Sequence, residues 1–129
     1  MINKEIVEKH GEIFADGWPN WFDIGDGWLS IVDEALTTIK QKMTEGMPKV
    51  EINQIKEKFG GLRIYFDGGN DETGEIIEKA VKKANNTCDT CGTTENVGYT
   101  TGWIATICED CAKKEDKLDR WKLNEKKIK

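Results

Sequence analysis

Cysteine occurs at four positions in this chain, Cys88, Cys91, Cys108 and Cys111, arranged as C-x2-C, sixteen intervening residues, and C-x2-C. Two residues between thiolates let one tight turn present both sulfurs to a single ion, and two such pairs complete the pattern of a tetrahedral zinc tetrathiolate. Gly92 follows the first pair and permits the positive φ such a turn favours. With all four coordination positions filled by protein, no vacancy is left for water or substrate, so the expected role of the zinc is structural. The competing assignments are two disulfides or free thiols. The N-terminal sequence Met-Ile-Asn-Lys-Glu-Ile-Val-Glu-Lys-His holds no apolar run of the length a secretion signal or membrane span needs. The expectation is therefore a cytoplasmic protein with reduced thiols, in which paired cysteines bind metal.

A chain of 129 residues is expected to fold as one compact unit, divided here into an α+β core over 1–86 and a four-cysteine zinc module over 87–129. The net charge of −5 argues against general nucleic-acid binding, but it is unevenly spread. From Ala112 to Lys129 eight Lys/Arg stand against four Asp/Glu, a local +4, which leaves −9 on the first 111 residues. That tail reads as a solvated basic helix.

Periodicity predicts a first helix to about Phe14 with Ile6, His10, Ile13 and Phe14 on its apolar side. Trp18, Trp21 and Phe22 then fall within a Gly- and Asp-rich loop, where aromatic rings require either a core or a ligand. A strong helix capped by Asp26 follows, its buried stripe formed by Trp28, Val32, Ala35, Leu36, Ile39 and Met43, and Gly46 and Pro48 end it. Next comes a β-hairpin, alternating through Val50 and Ile52 and through Leu62, Ile64 and Phe66. Taking Gly60-Gly61 as the turn sets Lys58 opposite Arg63, Lys56 opposite Tyr65 and Ile55 opposite Phe66. One face is then apolar and the other carries Lys56, Lys58, Arg63 and Tyr65; Glu57 fits this register poorly, which a bulge would repair. A third helix, capped by Thr73, is expected to run to about Asn86, buried through Ile76, Ile77, Ala80, Val81 and Ala84.

The module beyond Asn86 reads as a knuckle at Cys88 to Gly92, a hairpin through Val97 to Thr106 turning near Gly102, and a helix opened by the second cysteine pair and continuing past Leu118, Trp121 and Ile128. That order resembles a treble clef. The fold class expected is α+β: a small antiparallel hairpin or sheet packed with helices, followed by a treble-clef-like zinc module ending in a helix.

Gly27-Trp28-Leu29, the Lys-Glu-Lys-Phe-Gly-Gly-Leu-Arg-Ile-Tyr segment at 56–65, Cys-x-x-Cys-Gly, Gly102-Trp103 and Ile-Cys-Glu-Asp-Cys-Ala together resemble a group of small uncharacterised proteins encoded by phages and prophages. The resemblance covers roughly residues 18–112. It implies a setting rather than an activity, that of an accessory factor acting in the host cytoplasm on host machinery, including host defence.

The catalytic inventory is thin. His10 is the single histidine, on an otherwise apolar helical face, and reads as a packed residue rather than a base or ligand. No G-x-S-x-G, P-loop or H-E-x-x-H is present, and four cysteines closing one site leave no ligand set for a zinc deaminase. Asp23, Asp26, Asp67 and Asp71 stand where turns and caps favour aspartate rather than as a Mg²⁺ site. The chain is therefore expected to bind without turnover. In the first of two binding readings, Lys56, Lys58 and Arg63 neutralise phosphate while Tyr65, Trp18 and Trp21 stack on a base, which would make the protein a sponge for a nucleotide-type second messenger of host immunity. In the second, the zinc module and its basic last helix contact a host protein or nucleic acid. A homo-oligomer is left open. Against both, Trp18, Trp21, Trp28 and Trp103 are each read individually as core.

Overall fold

Two antiparallel strands, β1 (Val50–Lys58) and β2 (Gly61–Gly68), form the central hairpin of this computed structural model, which describes residues 3–16 and 22–124. Val50, Ile52 and Ile55 of β1 and Leu62 and Ile64 of β2 are buried on its inner face. They pack with α1 (Asn3–Lys9), α2 (Leu29–Thr44) and α3 (Asp71–Ala84) into one apolar cluster. The four residues predicted for the first helix's apolar side, Ile6, His10, Ile13 and Phe14, are all buried, although the α-helix ends at Lys9 and a 3₁₀ turn covers Gly11–Ile13.

The expected spans of α2 and α3 match closely, and their caps differ. A 3₁₀ turn at Asp26–Trp28 precedes α2, which begins on Trp28 without a side-chain cap. For α3 the cap is Asn70: its side chain accepts from the Thr73 N–H at 3.3 Å while Thr73 Oγ1 accepts from the Asn70 N–H at 3.1 Å. Thr73 thus closes a capping box from the third helical position instead of opening the helix.

The hairpin turns one residue earlier than its glycines imply. Lys58 pairs with Gly61, so Phe59 and Gly60 are the turn residues, both at positive φ (53° and 79°), as a type I′ turn requires. Lys56 consequently faces Arg63, Ile55 faces Ile64 and Gln54 faces Tyr65, correcting the pairs Lys58–Arg63, Lys56–Tyr65 and Ile55–Phe66. Each partner moves by two positions, so the two faces of the sheet keep their membership. The irregularity falls between Ile52 and Gln54, and Glu57, opposite Leu62, is accommodated because its carboxylate accepts the Gly60 N–H at 2.6 Å. The free edge of β1 is flanked by Phe14 and Asp23: Ala15 N–H donates to Ile52 O, and Glu57 N–H to Asp23 O.

Three strands form the second sheet, in the order β4 (Thr106–Cys108), β3 (Val97–Thr100), β5 (Trp121–Leu123). The predicted long C-terminal helix is overturned. α4 spans Glu109–Lys114, Asp116 turns the chain at φ 58°, a 3₁₀ turn covers Leu118–Arg120, and β5 returns antiparallel to β3. The spacing of Leu118 and Trp121 suits one helical face, yet the Trp121 indole is spent on Ile107 O at 2.8 Å and on packing against the cysteine cluster. Ile128 lies outside the described residues.

Candidate metal centre and cationic face

Cys88 and Cys91 sit on the knuckle that precedes β3. Gly92 N–H returns to Cys88 O at 3.0 Å, Cys88 N–H reaches Thr93 O at 2.9 Å, and Gly92 holds φ 82°, the conformation its position implied. Cys108 caps α4, and Cys111 lies in the helix's first turn with its N–H on Cys108 Sγ at 3.4 Å. All four sulfurs lie within 4.8 Å of one another and none is in a disulfide. Cys91 Sγ and Cys108 Sγ are 3.7 Å apart. A tetrahedron with metal–sulfur arms of about 2.3 Å has edges of about 3.8 Å, so the cluster has the dimensions of a tetrathiolate site and can hold a metal ion.

The four sulfurs differ in electrostatic setting. Burial pushes the Cys108 and Cys111 thiols up, and for Cys111 the neighbouring sulfurs raise it further. At Cys88 burial is outweighed by backbone N–H groups, Thr90 and Cys91 among them, aimed at its sulfur, and the thiol is held below its usual range. Four crowded sulfurs resist joint ionisation until a cation lies between them. Cys88, Cys108 and Cys111 are buried and Cys91 is exposed. Among the described residues this is the one cluster of metal-type donors; Asp23, Asp26, Asp67 and Asp71 do not gather.

The knuckle is seated on the core by backbone. Gly27 N–H donates to Asp89 O at 2.8 Å, and a Cβ at Gly27 would fall 2.1 Å from Cys88 O and 2.6 Å from Gly92 N. Trp28, fully buried as expected, donates its indole N–H to Thr87 O at 2.8 Å. A second anchor lies at the hairpin tip, where Thr106 Oγ1 donates to Gly60 O at 2.6 Å.

Lys56, Arg63, Lys58 and Tyr65 share the outward face of the hairpin. Lys56 and Arg63 are half-buried and directly opposite, and Lys56 Nζ lies 5.9 Å from the centre of the Tyr65 ring. Lys58 is exposed at the end of β1 with Nζ 5.7 Å from the Phe59 ring, and Arg63 turns back on Leu62 O. Among the described residues no carboxylate lies within 4 Å of any of these three cations. Trp18 and Trp21, the remaining members of the predicted ligand set, lie outside the described residues. Trp103, expected in the core, is instead 79% exposed on the loop between β3 and β4.

His10 is buried with Nε2 2.7 Å from Asp33 Oδ1, and Lys9 Nζ lies 3.1 Å from the same oxygen. Burial, outweighing the Asp33 hydrogen bond, holds the imidazole below its ordinary pKa, and Nδ1 has no partner among the described residues. Burial would raise Asp33, but its bonds to His10 and Lys9 bring the carboxyl below its usual range.

No helix among the described residues is long and apolar enough to cross a membrane. No family model, curated protein or solved structure matches the chain.

Proposed function

We propose that this is a binding protein without turnover, in which a zinc ion held by Cys88, Cys91, Cys108 and Cys111 in a treble-clef-like module braces an α+β hairpin that takes an anionic, base-bearing small ligand. The observation that carries this reading is the pair Lys56 and Arg63, directly opposite on one face with no carboxylate within 4 Å among the described residues. Like charges placed so destabilise a strand pair unless an anion lies between them. Guanidinium and ammonium groups supply phosphate recognition, Lys58 adds a third cation, and the exposed Tyr65 ring offers a face for a base. A net charge of −5 does not oppose this, because only the pocket must be positive. The tetrathiolate suits a structural zinc because all its positions are filled by protein.

The setting that the sequence motifs resemble, a phage-encoded accessory protein acting against host defence in the host cytoplasm, makes a cyclic nucleotide or ADP-ribose-type immune messenger the first ligand to try. The second reading, contact of the zinc module and its basic last helix with a host protein or nucleic acid, has a shorter helix to use, since α4 ends at Lys114. Native mass spectrometry of the protein mixed with cyclic nucleotides and ADP-ribose derivatives tests the proposal. Expected are one zinc per chain and a retained nucleotide that the Arg63→Ala variant holds at least tenfold more weakly, from the loss of a charged hydrogen bond worth roughly 1.5–3 kcal/mol. Retention unchanged in Arg63→Ala, or no retention of any nucleotide, would overturn it.

A further inference from the structure

Phe59 is the least expected residue in the molecule for its position. It occupies the first turn position of a type I′ hairpin at φ 53°, a region that bulky side chains enter only under strain, and its ring is 74% exposed, so core packing does not compensate. The other two non-glycine residues at positive φ among the described residues, Asn96 and Asp116, are of types that tolerate it. Strain held at an exposed ring points to a use for the ring.

A second exposed ring belongs to the same end of the molecule. Gly60 packs against the β3–β4 loop so closely that a Cβ there would lie 2.9 Å from Ile104 Cγ2, and Ile104 adjoins Trp103, the most exposed aromatic among the described residues. Lys58 Nζ lies 5.7 Å from the Phe59 ring, and Arg120 Nη1 would lie 3.8 Å from a Cβ at Gly102, the residue that precedes Trp103. Exposed rings with cations close by match unpaired bases joined by phosphates. A duplex hides those base faces.

We propose that the Phe59–Trp103 end of the molecule is a contact surface for single-stranded nucleic acid, bound by stacking on the two rings with Lys58 and Arg120 on the phosphates. The surface shares only Lys58 with the small-ligand reading of the outward face; neither ring nor Arg120 belongs to that set.

Fluorescence polarisation of labelled oligothymidine and oligouridine against the zinc-loaded protein tests it, with Phe59→Asn, Trp103→Ala and a Lys56→Ala/Tyr65→Ala double variant. Phe59→Asn creates an Asn-Gly turn that suits type I′, so this variant is expected to fold at least as well as the parent while losing the ring. Salt-sensitive binding weakened roughly tenfold or more by each ring variant, and little changed by Lys56→Ala/Tyr65→Ala, is the expected result. Absence of binding at low salt, or binding indifferent to both rings, overturns the proposal. So does binding lost only with Lys56 and Tyr65, which would leave the outward-face reading standing. Ring-dependent self-association, or ring-dependent capture by phosphatidylserine vesicles, without oligonucleotide binding would likewise reassign the surface.

Discussion

The indole N–H of Trp28, at the head of α2, donates to the carbonyl of Thr87, the residue immediately before the first metal-type cysteine, across a buried 2.8 Å contact. One side chain thereby fills the core and positions the cysteine knuckle. Replacing it with Phe keeps much of the apolar volume but strands the Thr87 carbonyl, and a buried acceptor without a donor costs about 1–3 kcal/mol. Trp28→Phe should therefore lower the melting temperature and weaken metal retention together, read by thermal melts with metal analysis. Retained metal affinity would show that the knuckle is set independently of Trp28.

Gly27 is a stricter case. A Cβ there meets backbone atoms of Cys88 and Gly92, which cannot rotate away. Gly27→Ala is expected to destabilise by about 3 kcal/mol and to slow or prevent metal uptake, measured by denaturant unfolding and metal titration. A variant with parental stability would mean that the contact relaxes without cost.

Metal removal should have a large effect. Structural zinc in small modules contributes on the order of 10 kcal/mol, so a strong chelator, or Cys91→Ser, is expected to unfold at least the β4-β3-β5 sheet. Native mass spectra should give one ion per chain before chelation. Identical melting with and without chelator would remove the structural role.

Some of this is legible in the sequence and some is not, for physical reasons. The cysteine cluster is legible in the spacing, because each C-x2-C pair brings two sulfurs to one turn. The helical stripes of α2 and α3 are local periodicities and largely survive, with Met43, Ile76 and Val81 only partly buried at their edges. The hairpin register differs by one turn position because Gly60-Gly61 is the natural turn pair, and no propensity rule selects Phe59 for a left-handed site. β5 is invisible to local patterning because its pairing with β3 is non-local: Gly98 meets Leu123 across 25 positions of sequence. Trp103 departs from expectation because ring area argues for burial and says nothing of the loop that carries it.

Removing one of two opposed like charges should stabilise the hairpin. Arg63→Thr is expected to raise stability by about 0.5 kcal/mol while weakening any anionic ligand, a pairing of effects that a merely structural arginine would not give. Chemical denaturation checks the first and calorimetric titration the second. A loss of stability would show that Arg63 has a structural partner.

His10 sets an acid limit. Its folded pKa is depressed below the ordinary 6.5, chiefly by burial, so below pH 6.5 the unfolded chain takes up a proton that the native state refuses. Stability should be full above that pH and fall as acid is added toward the folded pKa. Asp33, depressed below 3.8, contributes its own loss only at lower pH. His10→Gln keeps a donor for Asp33 and cannot titrate; its stability difference from the parent between pH 7.5 and 5 isolates the His10 contribution from proton competition at the thiolates. A pH-independent difference would place the titration elsewhere.

The bond from Thr106 to Gly60 ties the strand that ends at Cys108 to the tip of the hairpin whose outward face carries Lys56 and Arg63. An ion among the sulfurs and an anion between those two cations would then be linked quantities: any gain in affinity that one confers on the other is returned in equal measure. With the Gly27–Asp89 and Trp28–Thr87 bonds also seating the knuckle on the core, this hydroxyl would be one of three threads by which the free-metal level of the surrounding solution bears on the hairpin.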